Sequence, residues 1–411
     1  MKKTILFLSE MPITNGVIQS QLMPIILRAA NDGYAVEIME TTGRFDSQEK
    51  DRAQIGKKLE HWMIALKSIA VKRHTLLPSI IYFTWKAFGI VRDSIRKNGS
   101  NQTVIYARNY KFAPLLLLAK YLWGVSYIYS PRGAYVAERR FYKKTKDLLF
   151  ASFIAFFERK AILGSTKIIV ETDGFKEHLK ELYSLEDRRF EVIPNCYDAS
   201  LLPSSDWNRD EMRKELGFSG KKVIAYAGTV EVWYEFEKMI DLVSRLRKKD
   251  PSIFFQLFLK EDYARDESSG MLTELDTLME KYGLAKNESY GISSYAPTER
   301  YRYLSACDAG ICLSVPQEFK SMMLYLKIVD FIGARLPMIV NSEMTESVAI
   351  IKESGAGAVV DYGDWEKSVA DIDLENLFNK KNSNLDLLKK YSSSEIVPKY
   401  MELFKDAFKE K

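Results

Sequence analysis

The chain has 411 residues, a hydrophobic fraction of 46% and a formal net charge of +5 at pH 7. The length favours two domains, and the apolar content excludes an intrinsically disordered protein. No basic tail or nucleic-acid-binding motif accompanies the small charge excess, so we expect no nucleic-acid partner. The three cysteines and three histidines are scattered, which argues against a metal centre and favours buried thiols in a reducing compartment.

The first half of the chain alternates apolar strands with helices, which predicts a parallel sheet covered by helices on both faces. Strands are predicted at 4–10, 34–40, 103–109, 125–130 and 167–172. A turn-rich loop after the first strand ends at Gly16, where a helix begins. Backbone N–H groups at such a junction favour an anionic ligand, although Gly16 could equally serve the turn alone.

The stretch from 57 to 99 is predicted to form two helices, at 57–74 and 78–99, in which apolar and basic residues interleave. Such helices rest on anionic lipid, and they also occur as solvated faces over an ordinary core; both interpretations stay open. The longest apolar run, at 148–157, is too short to span a bilayer. We therefore expect a cytoplasmic protein, with peripheral contact through 57–99 at the inner face of the cytoplasmic membrane.

In the second half, a strand predicted at 221–230 contains Gly228 and Thr229 near its end. Further on, a strand at 311–316, which includes Ser314, is followed by a loop and by a helix that carries Lys327 and Asp330. Residues three apart share one face of a helix, so a cation and a carboxylate are predicted to face the same ligand. A phosphate beside a sugar diol would suit that pair, and an exposed ion pair of little energetic weight is the alternative.

The run YLKIVDFIGARLP (325–337) resembles a run in the C-terminal half of GT-B glycosyltransferases, in particular the retaining family 4. Lys327 matches that run, and Asp330 stands where Glu is usual. Two departures from the family are visible. Met322 occupies the position of a second Glu, and no Arg follows Gly228 by two residues.

Two segments of the first half are also similar to that family. IPNCYD (193–198) is similar to a family segment that closes the first domain. SPRG (130–133) is similar to an Asp-x-Arg-Gly loop found in family 4 enzymes that build bacterial surface polysaccharides. Here Ser130 replaces the Asp, while Arg132 and Gly133 are present; Arg132 could hold a phosphate or the acceptor, or form a structural salt bridge.

The resemblance implies an α/β protein of two Rossmann-like parallel-sheet domains that face each other across a cleft. The implied divisions are an acceptor-side domain at 1–198, a linker at 199–220, a nucleotide-sugar-binding domain at 221–385 and a C-terminal helix at 386–411 that returns to the first domain.

The resemblance also assigns roles to individual residues. Asp330 is expected to accept the ribose hydroxyls, and Lys327 to stabilise the leaving diphosphate. The donor site is predicted to comprise Gly16, Gly228, Thr229, Ser314, Lys327 and Asp330. The acceptor side is predicted to comprise Ser130, Arg132 and Gly133, with Lys327 and Arg132 as the catalytic residues. We expect no metal and no cofactor, because no Asp-x-Asp pair ends a predicted strand.

The implied function is glycosyl transfer from a nucleotide-diphospho-sugar to a glycan or lipid-linked glycan in bacterial cell-surface polysaccharide synthesis, with retention of configuration. A catalytically weak partner subunit of an assembly complex is the main alternative. A nucleotide-sugar 2-epimerase would need acids and a histidine that we do not find. A Rossmann dehydrogenase is disfavoured because no Gly-x-Gly-x-x-Gly follows a predicted strand.

Overall fold

The computed structural model describes residues 2–42, 49–70, 77–134, 137, 145–186, 189–259, 271–317, 322–379 and 384–409. They form two compact units. Unit 1 comprises Met1–Pro194 and Glu395–Lys411, and unit 2 comprises Asn195–Ser394. Each unit contains one parallel sheet flanked by helices, so the predicted pair of Rossmann-like parallel-sheet domains is confirmed.

The sheet of unit 1 is built from strands that follow one another in the order β3-β2-β1-β4-β5-β6-β7. The strands are β1 (Thr4–Ser9), β2 (Ala35–Thr42), β3 (Ala65–Ala70), β4 (Thr103–Arg108), β5 (Ser126–Ser130), β6 (Lys167–Val170) and β7 (Phe190–Val192). The central strands β1 and β4 are buried along their whole length. Strands covered by helices on both faces are apolar throughout, which is why these runs could be recognised in the sequence.

The helices of unit 1 lie between these strands. They are α1 (Gly16–Gln21), α2 (Met23–Asn31), α3 (Glu49–His61), α4 (Leu77–Asn98), α5 (Ala113–Trp123), α6 (Thr145–Gly164) and α7 (Asp173–Tyr183). Of the helices among the described residues, none combines the length and the apolar composition that crossing a bilayer requires.

The prediction of one helix over 57–74 is correct as far as His61 and wrong at 65–70, while 71–74 lie outside the described residues. Helix α3 ends at His61, and the chain then reverses through Met63, whose φ is 53°. The following residues form β3, which pairs with β2 from Ala65 to Ala70. Helical spacing in this short stretch gives way to sheet pairing, because the strand gains a hydrogen-bonded partner that no local pattern reveals.

The sheet of unit 2 has the order β10-β9-β8-β11-β12-β13, and its described strands all pair in parallel. The strands are β8 (Lys222–Gly228), β9 (Ile253–Leu259), β10 (Tyr290–Ser293), β11 (Ala309–Cys312), β12 (Met338–Asn341) and β13 (Gly357–Val360). Strand β11 starts and ends earlier than the predicted 311–316, so that Ser314 follows the strand instead of lying within it.

The helices of unit 2 cover both faces of this sheet. They are α8 (Arg209–Glu215), α9 (Phe236–Lys249), α10 (Met271–Lys281), α11 (Arg300–Ser305), α12 (Leu326–Gly333), α13 (Thr345–Ser354), α14 (Trp365–Ala370), α15 (Leu374–Asn379) and α16 (Leu385–Lys390). Helix α12 carries the Lys–Asp pair, and its N-terminus lies at the carboxyl edge of the sheet because the helix follows β11.

The first and last residues of unit 2 are hydrogen-bonded to the rest of the unit. The Asn195 side-chain amide donates to the Leu324 carbonyl at 2.9 Å, and the Tyr197 N–H donates to the Tyr391 carbonyl at 2.9 Å. Unit 2 therefore begins at Asn195, includes the predicted linker 199–220, and ends at Ser394.

The C-terminal helix is α17 (Ser393–Ala407), and the chain from Glu395 onward belongs to unit 1. Phe404 packs edge-on against Phe7 and Tyr106, with ring centroids 5.7 and 6.0 Å apart. These contacts fix the helix on one face of the unit 1 sheet, over β1 and β4.

Candidate functional site

Lys327 lies in the first turn of α12 and is buried, with 8% of its surface exposed. Its Nζ lies 3.8 Å from the ring centroid of Tyr234 and 4.9 Å from that of Tyr226. Aromatic faces stabilise a partly desolvated ammonium group by about 2 kcal/mol. The ammonium is therefore held at a fixed place at the carboxyl edge of the unit 2 sheet, and the exposed ion pair considered from the sequence is wrong.

Gly228, at the end of β8, lies directly against this ammonium. Its φ is 133°, and a Cβ placed on it would come within 2.7 Å of Lys327 Nζ and 2.9 Å of Lys327 Cε. Only glycine adopts this backbone conformation without strain. The structure thus brings together two residues of the predicted donor site, Gly228 and Lys327.

The segment after Gly228 folds back along the end of β11 instead of starting a helix. Tyr234 forms an antiparallel bridge with Ser314, and the Val315 N–H donates to the Trp233 carbonyl at 3.0 Å. Thr229 is half-buried, and its carbonyl accepts a hydrogen bond from the Tyr226 hydroxyl at 2.6 Å. This pairing places Tyr234 over Lys327, in the region where the family's usual Arg is missing.

Ser314 is buried, and its polar groups are satisfied inside unit 2. Its N–H donates to Asn341 Oδ1 at 2.8 Å, and its hydroxyl shares a hydrogen bond with the Tyr325 hydroxyl at 2.6 Å. Its carbonyl accepts from the Tyr362 hydroxyl at 3.0 Å. These contacts connect the end of β11 with β12 and with the start of α12. Ser314 therefore fixes the relative positions of the elements that carry the site.

Asp330 lies one turn beyond Lys327 and is bound by two residues of α11. Its Oδ1 accepts hydrogen bonds from Arg300 Nη1 and from the Tyr301 hydroxyl, both at 2.9 Å. Asp330 Oδ2 accepts no hydrogen bond from a residue in the described ranges. The carboxylate is thus oriented by one oxygen, while the other oxygen is available to a ligand.

The Arg300–Asp330 ion pair is buried, with side-chain exposures of 10% and 13%. Burial is the largest single influence and lowers the pKa of Arg300, but Asp330, Tyr301 and Tyr295 together raise it by more, so the net shift is upward. Burial also raises the pKa of the Cys312 thiol to about 11, despite the nearby charge of Lys327. Cys312 is therefore a protonated core thiol and not a nucleophile.

Sequence reasoning missed Arg300, Tyr301, Tyr226 and Tyr234. The first two stand in ERYRYL (299–304), and they contact Asp330 across 30 and 29 positions of the chain. Two polar residues at the start of the helix before β11 were the available signal. The two tyrosines that cover Lys327 had none, because their position depends on the fold-back after Gly228.

The predicted residues of unit 1 lie at the carboxyl edge of its own sheet. Gly16 is the first residue of α1, and the Asn15 side chain caps that helix by accepting from the Val17 N–H at 2.9 Å. The Ile13 N–H donates to Glu40 Oε2 at 2.6 Å, which ties the preceding loop to β2. Gly16 does not have a positive φ in this structure, so the turn itself does not require glycine.

Ser130 is the last residue of β5, and Arg132 and Gly133 follow it. Arg132 has a φ of 52°, an uncommon conformation for a residue with a side chain, and Gly133 has a φ of 131°. Arg132 Nη1 donates to Glu171 Oε1 at 2.7 Å, and Nη2 donates to the Tyr400 hydroxyl at 3.1 Å. The guanidinium is thus engaged in a buried ion pair, as the structural alternative for this residue anticipated.

No group of three or more His, Cys, Asp or Glu side chains within the described ranges is arranged to hold a metal ion. The polar groups described at the unit 2 edge are the ammonium of Lys327, the backbone at Gly228 and the carboxylate of Asp330.

Residues 25–201 match the family model described as Glycosyltransferase Family 4, a range from α2 to just beyond β7. Solved structures are similar over the whole chain. Anabaena HepE in complex with UDP-glucose has a TM-score of 0.68 and 15% identity, covering 98% of this chain and 99% of that one. Residues 25–201 therefore form a family 4 glycosyltransferase domain, and the chain as a whole has the GT-B fold.

Two further similar structures belong to sugar-phosphate synthases. The sucrose-phosphate synthase of Thermosynechococcus elongatus has a TM-score of 0.74 and 13% identity, covering 100% of both chains. The α,α-trehalose-phosphate synthase of Burkholderia xenovorans, in complex with glucose-6-phosphate, has a TM-score of 0.66 and 10% identity, covering 98% of this chain and 100% of that one. No curated protein sequence matches this chain significantly. At these identities the similarity concerns the fold.

Proposed function

We propose that this glycosyltransferase takes its sugar from a nucleotide-diphospho-sugar bound at the carboxyl edge of the unit 2 sheet. The observation that carries the proposal is the buried Lys327 ammonium, held against the backbone of Gly228. Ligands of open α/β sheets bind at this edge, and a fixed, partly desolvated cation stabilises charge that develops on a leaving diphosphate. HepE, similar in fold, was solved with UDP-glucose.

Asp330 supplies the second half of the donor site in this proposal. Arg300 and Tyr301 hold Oδ1, so Oδ2 accepts a ribose hydroxyl from a fixed position. A charge-assisted hydrogen bond of this kind contributes about 1.5–3 kcal/mol. Asp330 is one methylene shorter than the glutamate that is usual in the family. In this proposal its fixed orientation makes up for the shorter side chain, because one oxygen is bound by the protein and the other by the ligand.

The acceptor proposed is a glycan or lipid-linked glycan of a bacterial cell-surface polysaccharide, and the transfer proceeds with retention and without a metal. The similarity of the loop Ser130–Gly133 to loops of surface-polysaccharide enzymes supports the acceptor class. Retention needs no separate general base, which agrees with a donor edge whose named polar groups are an ammonium, a backbone turn and one carboxylate.

A lipid-linked acceptor implies contact with a membrane, and an exposed apolar surface of unit 1 supports it. Helix α5 packs against both α4 and α6. Each of the three helices exposes large apolar side chains along one face. We call this the aromatic face; it comprises Tyr82, Trp85, Leu118, Tyr121, Leu122, Phe153, Phe156 and Leu163.

The charge of the aromatic face supports an anionic bilayer as its occupant. Lys86 Nζ lies 5.1 Å from the Trp85 ring centroid, and Lys160 Nζ lies 5.9 Å from that of Phe156. Aromatic and basic residues together suit the interface between acyl chains and anionic headgroups. The membrane contact predicted for 57–99 is therefore limited to the second part of that range. Helix α4 contributes to the aromatic face, whereas β3 is the edge strand of the unit 1 sheet.

Vesicle sedimentation tests the membrane contact. We expect binding to vesicles that contain anionic phosphatidylglycerol and little binding to pure phosphatidylcholine. A Tyr121→Ser, Phe156→Ser double variant should lose most of that binding, because both side chains are more than half exposed on the aromatic face, at 86% and 59%. Leu385→Ser is the matched control, since Leu385 is 70% exposed on unit 2. Equal loss in the control, or none in the double variant, contradicts the assignment.

A nucleotide panel tests the donor site. The melting temperature is recorded with UDP, GDP, CDP, ADP and dTDP, first without and then with magnesium. We expect one nucleotide to raise it by several degrees in both conditions, which names the base. A response that requires magnesium contradicts the metal-free proposal. No response to any of the five removes the donor assignment and favours the partner-subunit alternative.

A further inference from the structure

A second group of cationic and polar side chains lies at the carboxyl edge of the unit 1 sheet. Arg108 is the last residue of β4, and it lies beside Ser130, the last residue of β5, in the parallel register. Arg132 follows two positions later, and Tyr106 precedes Arg108 by two positions on the same face of β4. Tyr400 of α17 covers that face, with its ring 6.1 Å from Tyr106. We call this group the β4–β5 edge cluster.

Three donors of the β4–β5 edge cluster are buried without a hydrogen-bond partner among the described residues. They are Arg108 Nη1, the Ser130 hydroxyl and the Tyr106 hydroxyl. Arg108 is 9% exposed, and the other two residues are fully buried. Leaving one such donor unsatisfied costs about 1–3 kcal/mol, and more for a charged one. Three unsatisfied donors on neighbouring positions indicate that an acceptor belongs between them.

The charges of the cluster also do not balance. Arg132 and Glu171 are the charged side chains that act on Arg108, and Arg132 already forms an ion pair with Glu171. Burial and the nearby Arg132 lower the pKa of Arg108 to about 10, so it remains charged at neutral pH. A buried charge without a counter-charge is strongly unfavourable. The missing charge is negative.

We propose that the β4–β5 edge cluster binds a phosphoryl group of the acceptor substrate. Arg108 donates through its planar guanidinium, Ser130 donates its hydroxyl, and the strained turn at Arg132 keeps the second guanidinium beside them. Guanidinium groups bind phosphoryl oxygens in this planar, two-pronged manner. The inference deepens the proposed function, because it rests on an acceptor bound by unit 1.

The same chemistry fits two sources of the phosphoryl group. One is the diphosphate of a lipid-linked glycan, and the other is a phosphorylated soluble sugar. Farnesyl diphosphate is the probe for the lipid diphosphate, and glucose 6-phosphate is the probe for the phosphorylated sugar. Inorganic pyrophosphate is the probe that carries neither a lipid nor a sugar.

The test compares melting temperatures of the full chain with and without 5 mM of each probe (about the range in which weak phosphate sites fill), at matched ionic strength. We expect pyrophosphate to raise the melting temperature of the wild type by several degrees. Arg108→Met should abolish that rise and leave the melting temperature without anion equal or higher, because an uncompensated buried charge is removed. Arg108→Lys should retain part of the rise. A larger rise with farnesyl diphosphate, or with glucose 6-phosphate, identifies the source.

Arg92→Met is the matched control, since Arg92 has a side-chain exposure of 41% and pairs with its neighbour Asp93. The inference is overturned if the wild type does not respond, if Arg108→Met responds like the wild type, or if Arg108→Met melts lower without anion, as a structural arginine would. The nucleotide response of unit 2 is measured on the same variants. If no nucleotide raises the melting temperature of the wild type, the proposed donor site fails, and the anion site is judged separately by the pyrophosphate response.

Discussion

The carboxyl edges of the two sheets differ in whether their buried cationic side chains have a partner within the protein. In unit 2, Arg300 meets Asp330 in an ion pair, and Lys327 lies against two tyrosine rings. In unit 1, Arg108 has no carboxylate of its own within the described chain. The first edge is complete without a ligand except for one carboxylate oxygen, whereas the second has a positive charge and three donors to satisfy. Under the proposed function, the donor site of unit 2 is therefore expected to be preformed, and the acceptor site of unit 1 is expected to be completed by its ligand.

The largest expected effect comes from breaking the balanced pair. Arg300→Met leaves Asp330 buried without its cation, and the loss of one partner of a buried ion pair costs about 3–5 kcal/mol. Urea denaturation should show this loss in the free energy of unfolding. Arg302→Met is the control, since Arg302 has a side-chain exposure of 48% and should cost less than about 1 kcal/mol. Equal costs for the two variants would mean that the Arg300–Asp330 pair is not buried as described.

The next effect concerns the contact between Gly228 and Lys327. Gly228→Ala forces a side chain into a positive φ and into the space of the ammonium, which we expect to cost about 1–3 kcal/mol and to displace Lys327. Gly220→Ala is the matched control: its φ is 72°, and nothing lies within 4 Å of the added Cβ. Donor affinity should fall only in Gly228→Ala. If both variants keep full nucleotide affinity, Lys327 does not depend on this contact.

A smaller effect is expected at the second unbalanced charge of unit 1. Glu158 is buried and accepts hydrogen bonds from the Tyr129 and Tyr183 hydroxyls, both at 2.8 Å. Burial raises the pKa of Glu158 above its usual value of 4.5, although the two hydroxyls act against the shift. Between the pKa of Glu158 in the unfolded chain and its raised pKa in the folded protein, the folded state binds more protons than the unfolded state. This carboxyl therefore makes the free energy of unfolding decrease as the pH rises through that range.

Glu158→Gln removes that titration and keeps the size of the side chain. We expect the variant to gain melting temperature relative to the wild type, more at about pH 8 than at about pH 5. A gain that does not depend on pH would show that folding leaves the pKa of Glu158 unchanged. A loss that grows with pH would show that the charged form is stabilised, and either result contradicts the prediction.

The two edges also differ in how far they could be predicted from the sequence. Lys327 and Asp330 stand three residues apart on one helix, so their proximity follows from helix geometry. Gly228 ends an apolar run, and the carboxyl ends of parallel strands meet at one edge. The Rossmann-like class of both units was predictable for the same reason, since buried parallel strands read as continuous apolar runs.

What could not be predicted depends on contacts between distant parts of the chain. Arg108, Arg132 and Tyr400 come from two strand ends and from the C-terminal helix, and only the sheet order brings them together. The partners of Asp330 lie on another helix. The edge strand β3 was missed because its partner β2, and not its own composition, decides its conformation.

In the proposed function Lys327 binds the donor through its phosphates, and isothermal titration calorimetry measures that contact. The wild type and Lys327→Met are titrated with the nucleoside diphosphate selected by the panel and with the matching nucleoside. We predict that Lys327→Met binds the diphosphate at least ~10-fold more weakly, the loss of one charge-assisted contact, while nucleoside binding is unchanged. Equal diphosphate affinity in the two proteins, with the fold intact, would contradict the claim.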